Sequence, residues 1–353
     1  MNALAPGATI GILGGGQLGR MLALAGARLG LRCHVFDPAA DGPAAQVCAA
    51  ATVASFDDTD ALCAFAGSVD VVTYEFENIP DDALDAIEGL VPIRPGRQAL
   101  VTSQDRLVEK DFLNGLGLTT APYRDIACAD DLTRAMAEIG PEGILKTRRF
   151  GYDGKGQVRF RAGDDARQVW EQMNGAPSVL EGLVPFSTEI SVIAARGADG
   201  AVACFDPGEN LHEDGILRTT TVPASVPARL KTDAIILAGQ ILNALDYVGV
   251  MGIELFVTPS GLLVNEIAPR VHNSGHWTQD ACVVDQFEQH MRAVAGWPLA
   301  RAQRHSDCVM ENLIGDEVAA WISTIDDGLH LYGKSEARPG RKMGHINRIS
   351  PMT

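Results

Sequence analysis

Apolar and polar positions change period several times along the first hundred residues. ATIGIL (8–13) is a short continuous apolar run, the pattern of a strand buried on both faces. LGRMLALAGARLG (18–30) shifts to helical spacing and predicts a helix ending at Gly30. LRCHVFD (31–37) and DVVTYEF (70–76) read as strands again, and DDALDAIEGL (81–90) as another helix. Strands alternating with helices predict a parallel sheet wrapped on both faces. VPIRPGRQAL (91–100), with two prolines and a glycine, reads as the exit from this unit, and SQDRLVEKDFLNGLG (103–117) as a helix with Ser103 at its N-cap.

The pattern then changes. GILKTRRFGYDGKGQVRF (143–160) is two short strands around a glycine-rich basic loop. SVLEGLVPFSTEISVIAAR (178–196) and AVACFDPGEN (201–210) add strands, and LKTDAIILAGQILNALDYVG (230–249) is a long amphipathic helix. VMGIELFVTPSGLLVNEIAPR (250–270) predicts two strands joined by a Pro-Ser-Gly turn. A smaller piece follows and contains the basic stretch RPGRKMGHINR (338–348). There is no internal repeat. The pattern divides the chain into an α/β unit over 1–103, a second unit over 104–296 and a small C-terminal unit over 297–353.

Composition narrows the function classes. The 353 residues are 46% hydrophobic and 21% charged, ordinary for a globular enzyme of two or three domains. A formal net charge of −16 repels nucleic-acid backbones and anionic lipid, so neither is an expected partner. An anionic ligand therefore needs basic residues gathered locally. The seven cysteines are scattered without a C-x-x-C pair and read as reduced thiols of a cytosolic protein. The first residues carry no basic n-region and their apolar stretch is broken by GGGQLGR, so a secretory signal is not expected, and no apolar run of about 20 residues occurs.

Four features carry candidate chemistry. Gly14, Gly16 and Gly19 spell G-x-G-x-x-G, with Asp37 18 residues further on, the pattern of a dinucleotide fingerprint. Glu254 and Glu266 lie on the two paired strands, where two carboxylates at one sheet end would repel unless a cation lay between them; magnesium suits such a pair, and two unrelated acids are the alternative. Lys146 ends an apolar strand beside FGYDGKG (150–156), whose glycines let backbone N–H groups approach an anion; an ordinary exposed hairpin is the alternative. Asn265, Glu266, Arg270, His272, Asn273 and His276 crowd the segment after the last of these strands, a position suited to ligand contact.

In this order, strand lysine, glycine-rich hairpin, EGLV and two strand glutamates resemble the ATP-grasp fold. The wording of GGGQLGRM, TYEFENI, KTRRFGYDGKGQ, GENLHEDGIL, LLVNEIAPRVHNSGHWT and RKMGH is similar to the 5-(carboxyamino)imidazole ribonucleotide synthase family of purine biosynthesis, over about residues 10–348. Phe150 stands where that pattern often has glycine, and CFDPGENLHEDG departs from a more tyrosine- and proline-rich version. The resemblance implies an ATP-grasp fold with an N-terminal parallel-sheet domain and a small C-terminal domain. It implies carboxylation of 5-aminoimidazole ribonucleotide with bicarbonate, driven by ATP and magnesium, in a cytoplasmic homodimer. Glu254 and Glu266 become metal ligands. Arg106, Lys146, the loop Gly151, Tyr152, Asp153, Gly154, Lys155, Gly156 and Gln157, the run Glu181, Gly182, Leu183 and Val184, and Glu189, His212, Asn265 and Glu266 become the ATP site. Asp153, Lys155, Arg270, His272 and Asn273 become catalytic. Gly16, Gln17, Leu18, Glu75, Tyr152, Lys334 and Arg341 hold the ribonucleotide, so the first glycine loop serves this substrate rather than NAD. Another ATP-grasp ligase, a formate-dependent transformylase and a nucleotide-binding regulator remain as alternatives, as does an oxidoreductase, which leaves Lys146, Glu254 and Glu266 without a joint role.

Overall fold

A computed structural model describes residues 3–151, 155–321 and 328–352. Among the described residues the strands form three sheets that follow one another along the chain. The first holds β1 (Thr9–Leu13), β2 (Arg32–Asp37), β3 (Ala50–Val53) and β4 (Val71–Tyr74) in the order β3-β2-β1-β4, all parallel. Its helices are α1 (Gln17–Arg28), α2 (Thr59–Ala66) and α3 (Asp81–Ile87). The predicted parallel unit is therefore present, with β3 and α2 in addition to the elements read from the pattern; AATV is too short and too exposed to signal a strand by itself. Helix α1 stops at Arg28, and Gly30 takes a φ of +72° as the chain reverses, a conformation that favours glycine.

Two helices lead out of this unit, α4 (Arg97–Gln104) and α5 (Arg106–Gly115). Ser103 is not an N-cap: it lies inside α4, where its Oγ donates to the Leu100 carbonyl. The cap of α5 is Asp105, whose carboxylate accepts from the backbone N–H of Leu107 at 3.0 Å. Aspartate caps a helix as well as serine, and α4 extends through the serine before the chain breaks.

The second sheet holds β5 (Tyr123–Ile126), β6 (Glu142–Thr147), β7 (Gln157–Arg161) and β8 (Ser178–Gly182), in the antiparallel order β5-β8-β6-β7, backed by α6 (Ala129–Ile139) and α7 (Ala166–Gln172). The third sheet is built from β9 (Thr188–Arg196), β10 (Val202–Cys204), β11 (Gly208–Glu213), β12 (Ile216–Val222), β13 (Gly249–Thr258), β14 (Gly261–Ala268), β15 (Asp307–Ile314), β16 (Gly328–Leu331) and β17 (Lys342–Ser350). Helices α8 (Ala228–Ala244), α9 (Thr278–Ala281) and α10 (Gln286–Val294) cover it. The C-terminal piece is continuous with this sheet, because β15 pairs with β12 and then with β17.

One apolar core runs through all three parts of the chain, from Ile10 and Leu22 through Ile193 and Trp277 to Met310 and Tyr332. Polar ties reinforce it. His290 on α10 bonds Thr73 on β4 at 2.8 Å and accepts the N–H of Val250 on β13 at 3.0 Å, so one buried imidazole links two sheets. Arg94 donates to the Val294 carbonyl at 2.8 Å. These contacts fix the N-terminal unit against the third sheet and set the walls of the cleft between them.

Candidate active site

A cavity of about 560 Å³ opens where the three sheets meet. Its lining includes Gln17, Leu18 and Glu75 from the N-terminal unit, Arg106 from α5, Lys146, Gly151, Lys155 and Gln157 from the β6–β7 hairpin, and Glu189, His212, Glu254, Asn265, Glu266, Arg270, His272 and Asn273 from the third sheet and the segment after it. Residues from 17 to 342 thus converge on one space. Gly16, Gly156, Glu181, Gly182, Leu183, Val184, Lys334 and Arg341 are not part of that lining. Tyr152, Asp153 and Gly154 lie outside the described residues.

Glu254 and Glu266 stand directly opposite each other on β13 and β14. Opposed residues on antiparallel strands have Cβ atoms about 4.5–5.5 Å apart, close enough for one cation to serve both. The pairing steps from Glu254–Glu266 to Leu255–Val264, which leaves Asn265 as an extra residue in a bulge. Consecutive side chains of a regular strand face opposite ways; the bulge re-aims them, and Asn265 and Glu266 both line the cavity. Burial, with the Glu266 charge added, raises the Glu254 pKa to about 7. Two crowded carboxylates beside an amide oxygen on an anion-sized cavity are the hard donor set magnesium takes when phosphates complete its shell.

Cations face this pair. Arg106 Nη1 donates to Glu266 Oε2 at 3.2 Å. Lys146 Nζ donates to Glu181 Oε2 at 2.8 Å, and Lys110 Nζ, on a residue only 2% exposed, lies 3.1 Å from Glu181 Oε1. Burial disfavours the Glu181 charge, but Lys146 and Lys110 outweigh it and hold the pKa at about 2. Glu181 therefore anchors Lys146 at the cavity wall. His212 Nδ1 lies 2.6 Å from Glu189 Oε2; burial opposes its charge, yet Glu189, Glu254 and Glu266 raise its pKa on balance.

The segment after β14 is held just as firmly. Arg270 pairs with Glu77, reaching back to the N-terminal unit. His272 Nδ1 bonds Ser274 Oγ at 2.8 Å, and Ser191 Oγ donates to that hydroxyl at 2.7 Å. Burial, then the charges of Arg270 and Lys342, lower the His272 pKa to about 3, so the ring is neutral. A Cβ on Gly252 would lie 2.5 Å from the His272 Cβ, so only glycine lets this ring pack here. The Asn273 and Asn312 amides bond each other reciprocally at 2.9 and 2.7 Å.

The glycine fingerprint has its donors filled from within. Gly16 N–H donates to Glu75 Oε1 at 2.9 Å, Gly19 N–H to Glu75 Oε2 at 3.1 Å and Gly15 N–H to Asp37 Oδ2 at 2.7 Å. A Cβ on Gly16 would sit 2.5 Å from the Glu75 carboxylate. The N-terminus of α1, the usual seat of a dinucleotide pyrophosphate, is occupied by the chain's own carboxylates.

Several lining residues were not singled out by the sequence: Phe76, Glu77, Asn78, Phe256 and Lys342. Glu77 and Asn78 lie in the same TYEFENI segment as Glu75, and a strand-end loop of that kind exposes neighbours together. Lys342 adjoins Arg341 at the start of β17, where strand alternation decides which of two adjacent cations faces inward. Arg341 instead donates to the Glu336 carbonyl at 2.8 Å, and Lys334 Nζ to the Lys342 carbonyl at 2.6 Å.

Two antiparallel sheets enclosing a cleft, with a lysine on the small sheet and paired carboxylates on the large one, define an ATP-grasp protein. The ATP-grasp domain family matches residues 111–287, the ribonucleotide synthetase preATP-grasp domain residues 7–104, and the phosphoribosylaminoimidazole carboxylase C-terminal domain residues 308–352. The N5-carboxyaminoimidazole ribonucleotide synthase of Brucella melitensis is 54% identical, over 100% of this chain and 99% of its own. The Staphylococcus aureus N5-carboxyaminoimidazole synthetase solved with ADP superposes with a TM-score of 0.94 at 36% identity, covering 99% of this chain and 95% of that one. The Aspergillus clavatus synthase solved with ADP and 5-aminoimidazole ribonucleotide gives 0.90 at 31% identity, over 98% and 94%. The chain belongs to the N5-carboxyaminoimidazole ribonucleotide synthase family.

Proposed function

We propose that this protein joins bicarbonate to the exocyclic amine of 5-aminoimidazole ribonucleotide, with ATP cleaved to ADP and phosphate, a step of purine biosynthesis. One observation carries the reading: the opposed Glu254 and Glu266 share a single cavity with Arg106 and Lys146 on one side and the Gln17–Leu18 and Glu75 wall on the other. Such a cavity brings a nucleotide triphosphate and a second substrate to one point, which is the main requirement of phosphoryl transfer. A bicarbonate oxygen attacks the γ-phosphorus, the β–γ bridging bond breaks, and ADP leaves. The amine then attacks the carboxyphosphate carbon, directly or as released carbon dioxide, and phosphate departs.

Glu254 and Glu266 are the residues that would hold magnesium, which supplies charge neutralisation at the transferring phosphoryl group. Lys146, Arg106 and Lys155 counter phosphate charge, and Glu181 to Val184 with Glu189, His212 and Asn265 receive the nucleoside. Arg270, neutral His272 and Asn273 face bicarbonate and carboxyphosphate, with Asp153 accepting the amine proton or orienting the amine by resemblance. Gly16, Gln17, Leu18, Glu75 and Tyr152 hold the ribonucleotide, and Lys334 and Arg341 its 5′-phosphate. A cytoplasmic homodimer belongs to the same reading; among the described residues no helix is long and apolar enough to cross a membrane. The test is a coupled assay of ADP release. Release should require both the ribonucleotide and bicarbonate. Release supported by formate in place of bicarbonate would transfer the protein to the transformylases.

A further inference from the structure

Helix α5 contributes more to the cavity than Arg106. Glu109, one turn further along, is 2% exposed, and its Oε1 accepts the backbone N–H of Ile267 at 2.6 Å. β14 is the edge strand of the third sheet, and Ile267 pairs with Ile253 of β13 on its other side. An edge-strand N–H that is buried needs a partner from outside the sheet, and Glu109 is that partner. Ile267 follows Glu266 directly, just beyond the bulge at Asn265. The same helix also sends Arg106 to the Glu266 carboxylate. Backbone and side chain of this stretch are thus both held from α5.

We propose that Glu109 is a positioning residue: by clamping the open edge of β14 at Ile267, it fixes the direction in which Glu266 presents its carboxylate to a divalent cation. The proposal rests on the reading of Glu254 and Glu266 as the magnesium side of the nucleotide site. A bulge lacks part of its ladder and can re-aim its side chains; on the outer edge of β14 the Thr119 carbonyl takes the Val264 N–H before Asn265 at 2.8 Å, and Glu109 takes the Ile267 N–H after it, on the side of Glu266. Groups that orient metal ligands from outside the coordination shell are worth about 10–100-fold in metal affinity. Glutamine keeps an accepting oxygen in the place of Glu109 Oε1, so it is the close isostere for the Ile267 N–H contact.

The experiment is calorimetric titration of the full-length protein with ADP at a series of magnesium concentrations, alongside melting temperatures without nucleotide. Glu109→Ala should raise the magnesium concentration for half-maximal ADP binding by about 10–100-fold. Glu109→Gln, which keeps an accepting oxygen, should stay close to the unsubstituted protein. Glu109→Met fills the same volume without an acceptor and replaces the alanine variant if that one does not fold. Glu266→Gln is the reference and should abolish the magnesium dependence. An unchanged magnesium dependence in Glu109→Ala or Glu109→Met, with Glu266→Gln defective, would overturn the positioning role and leave the metal reading standing. A Glu109→Gln protein as weak as Glu109→Ala would also overturn it. An unaffected Glu266→Gln would overturn both.

Discussion

Glu266 receives Arg106 on its side chain and faces Glu254 across the strand pair. On the proposed reading, removing its charge leaves one carboxylate to hold the magnesium that would neutralise the transferring phosphoryl group. We expect Glu266→Gln to cost about 4 kcal/mol of transition-state stabilisation, about three powers of ten in turnover, with the melting temperature little changed. ADP release by the purified, folded variant checks this, and near-normal release would remove Glu266 from the metal site. At the other end of the chain, Arg341 lies outside the cavity lining while its neighbour Lys342 is part of it. A doubly charged 5′-phosphate rewards charge-assisted bonds. On the proposed seat for that phosphate, Arg341→Ala should raise the ribonucleotide KM by roughly one to two powers of ten, taking about 1.5–3 kcal/mol for a charged hydrogen bond, and leave the ATP KM in place. Steady-state kinetics with each substrate varied in turn separates the two; a defect confined to ATP would return this arginine to the solvated surface.

Elements explain why one local pattern misleads. The loop from β1 into α1 has the glycine spacing of a dinucleotide site, but Glu75 from the end of β4 and Asp37 from the end of β2 fill its N–H groups. A pyrophosphate would have to displace two carboxylates and then meet their charge. Titration with NAD or NADP should give no binding heat, and micromolar affinity for either would refute this account of the loop. The helix α5 shows the opposite case. DRLVEK reads as an ordinary amphipathic start, yet Asp105 pairs with Arg148, Arg106 with Glu266 and Lys110 with Glu181, so one helix ties both ATP-grasp sheets.

Across the whole molecule, buried histidines join the parts. His290 has its pKa lowered to about 3 by burial, and His276 and His345 are driven well below the ordinary value by burial and by neighbouring histidines. A histidine held neutral in the fold and free to protonate when unfolded stabilises fully above its unfolded pKa, about 6.5. Below that, the unfolded chain takes up protons that the native ring refuses, and stability falls as pH drops from about 6.5 toward 3. Each such ring adds up to about 1.4 kcal/mol per pH unit to the slope. Urea midpoints should decline steeply in this window, and His290→Gln should start lower at pH 8 but decline less steeply. Equal slopes for His290→Gln and the unsubstituted protein between about pH 6.5 and 4 would contradict the neutral, buried state of His290.

Hydrophobic period by itself determined the parallel N-terminal unit, the hairpin around the basic loop, α8 and the β13–β14 pair, because each is a local alternation that the chain expresses within a few residues. The motif resemblance determined the family, since NEIAPRVHNSGHW and RKMGH carry side chains that a packed core alone does not need. Only the tertiary structure decided how those side chains meet. The bulge at Asn265 turns two adjacent residues into one cavity, and no alternation rule foresees it. Glu77 reaches Arg270 across 193 residues of chain and Glu109 reaches Ile267 across 158, contacts with no local signature. The same holds for the glycine loop: its sequence demands a tight strand-to-helix turn, but what fills the turn is set by carboxylates that arrive from other strands, and that is a property of the packed sheet rather than of the loop.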